Sequence, residues 1–190
     1  GGLAVTWQAR LAQGMPGVRR YFERYPFACL EQKTSKSIGL RDVALWKTVV
    51  EQMPSYLDED GLADYFPPYA GSPARGSDTL TSYLLAVTDE AAKIDPAYAI
   101  PADLRERIER GLIAFVEGRI RREFWSPQRD APVRRIAALE ALSRTGKVTR
   151  SMLETFDVDP NGLPTSALVD WYATLTRLPA LARPGAIERA

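Results

Sequence analysis

The most informative stretch of this sequence is Tyr25-Pro26-Phe27-Ala28-Cys29-Leu30-Glu31-Gln32-Lys33-Thr34-Ser35. It contains the only cysteine in 190 residues, and Gln32 follows that cysteine by three positions. Because the residue before a proline avoids the helical region, Pro26 ends the preceding segment, and we predict a helix from about Ala28 to Leu40. Residues i and i+3 of a helix share one face, with Cβ atoms about 5–6 Å apart. The Cys29 thiol and the Gln32 carboxamide should therefore be neighbours.

Two neighbouring groups of this kind can react with each other. The sulfur can attack the amide carbon and expel ammonia, which leaves an internal thioester between Cys29 and Gln32. A buried cysteine is otherwise a small apolar residue without reactivity. The spacing alone leaves both interpretations open.

The stretch closely resembles the thioester segment of bacterial alpha-2-macroglobulins. In that segment an aromatic residue, a proline, a second aromatic and a small residue precede Cys-x-Glu-Gln, and Thr-Ser often follows. The complement thioester proteins of animals share the Cys-x-Glu-Gln core. Later segments look like the second helical hairpin of this family, namely Asp60-Gly61-Leu62, the aromatics Tyr65 and Phe66, and Ser77-Asp78-Thr79-Leu80-Thr81-Ser82-Tyr83.

The resemblance implies a fold and a setting. Thioester domains of the family are α/α toroids, with an inner and an outer ring of helical hairpins and the thioester near one end. This chain is shorter than such domains usually are, so we expect a partial or reduced ring. Residues 1–190 would form a single thioester-containing helical domain, a fragment of a much larger protein. By the same resemblance, the parent protein would be periplasmic or associated with the cell envelope.

The resemblance also implies a function without enzymatic turnover, that of a broad-spectrum protease inhibitor. After a protease cuts a bait region elsewhere in the parent, an amine of that protease would attack the Gln32 acyl carbon, and Cys29 would leave as a thiol. Tyr25 and Phe27 would shield the bond from water, and neighbouring domains of the parent would complete the cover. Glu31 belongs to the motif, but we assign it no chemistry. The expected partners are target proteases, bound covalently.

Composition narrows the alternatives. Apolar residues make up 45% and charged residues 26% of the chain, as in ordinary globular proteins. Lys plus Arg number 25 and Asp plus Glu 24, so nothing indicates a nucleic-acid partner. The chain has no histidine, which excludes Ser-His-Asp and Cys-His catalysis within it. With one cysteine it cannot form a zinc site of the usual ligands or an intrachain disulfide, and we predict no metal and no cofactor.

Apolar residues recur at helical spacing along most of the chain, and no segment alternates with a period of two. We predict an all-α fold. The first three expected helices cover residues 3–15, 17–24 and 28–40. Asp42 should cap the next helix, and Ser77 or Asp78 should cap one that ends near Ile94. Further helices are expected from Pro101, carrying apolar residues to Ile120, from Pro132 to Gly146, from Thr149 or Ser151 over a short stretch, and from Pro164.

Two other functions remain open at this point. Asp58, Asp60, Asp64 and Asp78 could supply the carboxylate pair of a glycosidase, a kind of enzyme that α/α toroids also house. Alternatively, the chain is a helical protein-interaction module with an unloaded thioester motif. We expect Asp58-Glu59-Asp60 to be a solvated turn, and the arginines at 119, 121, 122, 134 and 135 to lie on exposed faces.

Overall fold

Helices make up nearly all of the regular structure in the computed structural model of this chain, which describes residues 16–26, 28–69, 71, 75–122, 131–155, 159–183 and 185–189. The α-helices are α1 (Pro16–Arg24), α2 (Leu30–Leu40), α3 (Val43–Gln52), α4 (Asp78–Ile94), α5 (Ala102–Val116), α6 (Ala131–Ser143), α7 (Arg150–Glu154), α8 (Thr165–Arg177) and α9 (Ala186–Arg189). Short 3-10 helices cover Met53–Tyr56, Pro96–Tyr98 and Pro160–Gly162. Among the described residues there is no strand, and the prediction of an all-α fold is confirmed.

The starts of the helices follow local chemistry. Asp42 caps α3 and Ser77 caps α4, each by accepting a hydrogen bond from the backbone N–H three residues on, at 2.9 and 3.1 Å. Thr149 caps α7 in the same way. The predicted helix over residues 3–15 lies outside the described residues.

Three predicted helix limits were wrong. Helix α6 ends at Ser143 and not at Gly146, where the chain turns with φ +68°. Helix α2 begins at Leu30, because Cys29 is extended, with φ −69° and ψ 163°. Helix α5 ends at Val116, and the chain turns at Gly118, whose φ of +73° favours glycine.

Helix α6 lies at the centre of the core and packs against α4, α5 and α8. Its fully buried side chains are Ile136, Leu139 and Leu142, which meet a continuous apolar cluster from the neighbouring helices. Helix α2 packs against α1, α3 and α4, with Leu30 completely buried. The first turn of α2 therefore packs on the core through the Leu30 side chain. None of the described helices is long and apolar enough to cross a membrane.

The segment between the 3-10 helix Met53–Tyr56 and α4 is built around one carboxylate. Asp58 is only 5% exposed. Its Oδ1 accepts from the backbone N–H groups of Asp60 and Leu62, at 3.1 and 2.9 Å. Its Oδ2 accepts from Gly76 N–H at 2.9 Å and from Arg122 Nη2 at 2.8 Å. The prediction of a solvated turn was therefore wrong for Asp58, because a guanidinium distant in sequence compensates its charge.

A second buried ion pair joins α6 to the start of α4. Arg134 Nη1 donates to Asp78 Oδ1 at 2.6 Å, and Arg134 Nη2 donates to the Arg122 carbonyl at 3.0 Å. The Arg134 guanidinium also lies over the Phe115 ring, 5.5 Å from its centroid. The prediction of exposed faces was wrong for Arg122 and Arg134, because both side chains reach inward to buried carboxylates. It was right for Arg119, which is exposed.

Candidate functional site

Cys29 and Gln32 lie together at the start of α2. Cys29 is the N-cap residue and Gln32 the third residue of the helix, and the two form a capping box. The Gln32 side chain folds back so that its Oε1 accepts a hydrogen bond from the Cys29 backbone N–H at 3.3 Å. The carboxamide is thereby held over the same helical turn that carries the thiol. The structure thus brings the Gln32 side chain onto the backbone of Cys29.

Cys29 is shielded from solvent on several sides. The residue is 6% exposed and its sulfur is not in a disulfide. The next residue, Leu30, donates its N–H to the Tyr65 carbonyl at 2.9 Å, which fixes the chain after α3 against the start of α2. First-turn N–H groups have no partner within their helix, so this contact supplies one from outside. The site therefore depends on two segments far apart in sequence.

Tyr25 is the second tyrosine whose electrostatics involve Cys29. Its ring is 5.1 Å from that of Tyr21, centroid to centroid, on α1. Partial burial raises the pKa of the Tyr25 hydroxyl, Tyr21 and Cys29 add to the rise, and a hydrogen bond with the Gln32 side chain lowers it. These influences place the Tyr25 hydroxyl near Cys29 and Gln32. Phe27, the second predicted shielding residue, lies outside the described residues.

Tyr65 is a residue of the site that the sequence did not identify. Burial raises the pKa of its hydroxyl, and the nearby Glu31 and Cys29 raise it further. The ring is half-buried and packs against the core. No local signal in the sequence connects it to Cys29, because the two meet only through the fold.

The remaining residues of the motif connect α2 to the rest of the domain. Glu31 is in the first turn of the helix, where a carboxylate is favoured by the helix dipole, and its charge acts on Tyr65. Thr34 is completely buried, and Ser35 Oγ is 2.7 Å from the Tyr83 hydroxyl on α4. The Thr-Ser pair that follows the motif therefore contacts the body of the domain.

An open cavity lies beside Tyr25. Its volume is about 390 Å³, and it is lined by Gly17, Arg20, Tyr21, Arg24, Tyr25 and Pro26. One wall of this cavity is therefore Tyr25, the residue four positions before Cys29.

The predicted carboxylates do not form a free pair. Asp58 and Asp60 share the Arg122 guanidinium, and Asp78 binds Arg134. Burial raises the pKa of Asp78, against the effect of Arg134. These ion pairs argue against general acid and base roles for the three groups. In the described parts of the chain, no cluster of three or more histidine, cysteine or acidic side chains could hold a metal ion.

Comparisons with models of protein families, with curated proteins and with solved structures find no match for this chain. The functional hypothesis therefore rests on the motif and on the geometry around it. The geometry shows a carboxamide bound to the backbone N–H of the cysteine at the start of a helix, with the Tyr65 carbonyl bound to the next residue.

Proposed function

We propose that Cys29 and Gln32 form an internal thioester, and that the chain is the thioester domain of a bacterial alpha-2-macroglobulin-like protease inhibitor. The observation that carries the proposal is the hydrogen bond from Cys29 N–H to Gln32 Oε1. It supports the reaction because a carbonyl that accepts such a bond is both oriented and polarised next to the thiol.

Formation of the thioester replaces the amide nitrogen on Gln32 Cδ with the Cys29 sulfur. The Cys29 sulfur attacks Cδ of Gln32, and the C=O electron pair moves to Oε1. The developing negative charge lies beside the Cys29 N–H and the partly positive N-terminus of α2, both of which stabilise an oxyanion. The tetrahedral carbon then expels nitrogen as ammonia, which carries the proton released by the thiol. The products are a thioester and one molecule of ammonia.

The stored bond is reactive toward amines. A neutral amine attacks the acyl carbon of Gln32, an amide forms, and Cys29 leaves with the electron pair. A thiolate is a good leaving group because thiols ordinarily ionise near pH 8.5. The chain contains no histidine to take the acyl group first. We therefore expect direct aminolysis, with lysine amines of a trapped protease as the natural nucleophiles.

The wider setting of the proposal comes from the motif. We propose that the helices belong to a partial α/α toroid, and that the parent protein acts in the periplasm or at the cell envelope. The target proteases would be bound covalently after cleavage of a bait region. Neighbouring domains of the parent would cover the side of the site that Tyr25 and Tyr65 leave open.

The test of the thioester is a thiol titration of the protein expressed in its natural host and purified without amines. We expect no reactive thiol before methylamine treatment and one afterwards, with the methylamide on Gln32 in the peptide mass spectrum. The Gln32→Ala variant is the control, because it keeps the thiol and removes the acyl group. A thiol that is reactive from the start, with an intact carboxamide at Gln32, would refute the proposal. The remaining hypothesis would then be a non-covalent interaction module, for which Phe66 and Tyr69, 63% and 70% exposed, offer apolar surface.

Shielding by the two tyrosines gives a second prediction. Truncating Tyr25 or Tyr65 to alanine should open the pair to water and shorten the half-life of the thioester several-fold. The half-life is measured as the rate at which free thiol appears in amine-free buffer. Tyr172→Ala is the control, because that ring is 49% exposed on α8. Equal half-lives in all three variants would show that neither ring protects the bond.

A further inference from the structure

Helix α2 carries two lysines close to the reactive pair, although lysine is rare in this chain. The sequence contains five lysines and twenty arginines. Lys33 directly follows Gln32, and Lys36 is one turn further on. A lysine amine that loses its proton is a nucleophile, whereas an arginine guanidinium stays charged at any ordinary pH. Lys33 is therefore the amine nearest in sequence to the acyl group.

The Lys33 amine is held by the end of α3 and the 3-10 helix that follows it. Its Nζ donates to the Tyr56 hydroxyl at 2.8 Å and to Gln52 Oε1 at 3.1 Å. It also lies 5.4 Å from the centroid of the Tyr56 ring. Tyr56 is buried, and Gln52 is the exposed last residue of α3.

These contacts fix the position of the amine, because Nζ donates to two oxygen acceptors on the side of α2 that faces α3. Lys36 is held in a similar way, since its Nζ donates to the Glu23 carbonyl of α1 at 3.3 Å. Both lysines of α2 thus point to acceptors on neighbouring helices.

We propose that Tyr56 and Gln52 form a cradle that withholds the Lys33 amine from the acyl group of Gln32, so that the chain does not acylate itself. The inference rests on the proposed thioester. In the reaction that the cradle suppresses, the neutral Lys33 Nζ attacks Gln32 Cδ. A C–N bond forms, the C–S bond breaks, and the proton lost by the amine goes to the departing sulfur. The products are an isopeptide between residues 32 and 33 and a free Cys29 thiol.

The test removes the two oxygen acceptors with the Tyr56→Phe/Gln52→Ala double variant, which keeps the buried ring. The protein is expressed in its natural host, and thiol appearance in amine-free buffer is followed together with peptide mass. We expect a thioester half-life shorter by roughly tenfold or more, since both hydrogen bonds of the amine are lost and each alone is worth about a factor of ten. The product should be a peptide that lacks one ammonia, carries a free thiol and resists trypsin after residue 33.

The matched control adds Lys33→Arg to the same double variant. Arginine keeps the positive charge but cannot form the isopeptide, so the wild-type half-life should return. A shortened half-life that persists with Lys33→Arg, or a double variant with a normal half-life and no isopeptide, would overturn the inference and leave the thioester intact. A wild-type protein with a free thiol and an intact Gln32 carboxamide would overturn both proposals. The two failures are therefore distinguished by the wild-type sample.

Discussion

Replacing Asp58 with alanine should lower the free energy of unfolding by about 3–5 kcal/mol, the usual cost of breaking a buried ion pair from one side. The carboxylate accepts from three backbone N–H groups and from the Arg122 guanidinium, so its removal takes the acceptor from the three backbone donors, while Arg122 keeps its contact with Asp60. Buried donors left without an acceptor retain the full cost of their lost hydration. Since domains are stable by only about 5–15 kcal/mol, the loss should be plain in urea unfolding followed by circular dichroism.

The matched control is Glu59→Ala, the neighbouring acidic residue, which is exposed. We expect its effect to stay within about 0.5 kcal/mol, as for most surface substitutions. Equal midpoints for the two variants would contradict the role assigned to Asp58.

The Arg134→Ala variant should be destabilised to a similar extent, by about 3–5 kcal/mol at neutral pH. It leaves the Asp78 carboxylate buried without its cation and removes the guanidinium from the Phe115 ring. Burial already raises the pKa of Asp78, and loss of Arg134 should raise it further. The folded state then binds a proton more tightly than the unfolded chain, in which aspartate titrates near 3.9. Stability should therefore fall as the pH rises above about 4.

Urea unfolding at several pH values would measure this dependence. Arg110→Ala serves as the control, because its pair with Glu106 on α5 is exposed, and such pairs contribute about 0.3–0.5 kcal/mol. If Arg134→Ala were no more destabilised at neutral pH than at pH about 4, the buried charge would not be the cause.

The parts of the structure that the sequence predicts are those set by neighbours along the chain. The helix caps at Asp42 and Ser77 are decided within three residues, and both predictions are confirmed. The proximity of Cys29 and Gln32 has the same origin, because a helix start brings positions 29 and 32 together whatever surrounds it.

The parts that the sequence does not predict depend on contacts between distant residues. The sequence around Asp58 predicts an acidic turn, whereas in the structure its charge is compensated by Arg122, 64 positions away, together with three backbone N–H groups. Tyr65 reaches the site because the segment anchored by Asp58 docks on Leu30. Hydrophobic periodicity places residues on helices, but it contains no information about which buried charges will meet.

The capping box also bears on the reactivity of Cys29 and Gln32 in the unfolded chain. Helix α2 has eleven residues, and helices of this length are marginal on their own in water. A nascent chain that has not yet packed α2 against its neighbours therefore carries an ordinary thiol and an ordinary side-chain amide, well separated on average. The proposed thioester would therefore form only with the native state. A chain still on the ribosome would carry no acyl group for the surrounding amines to attack.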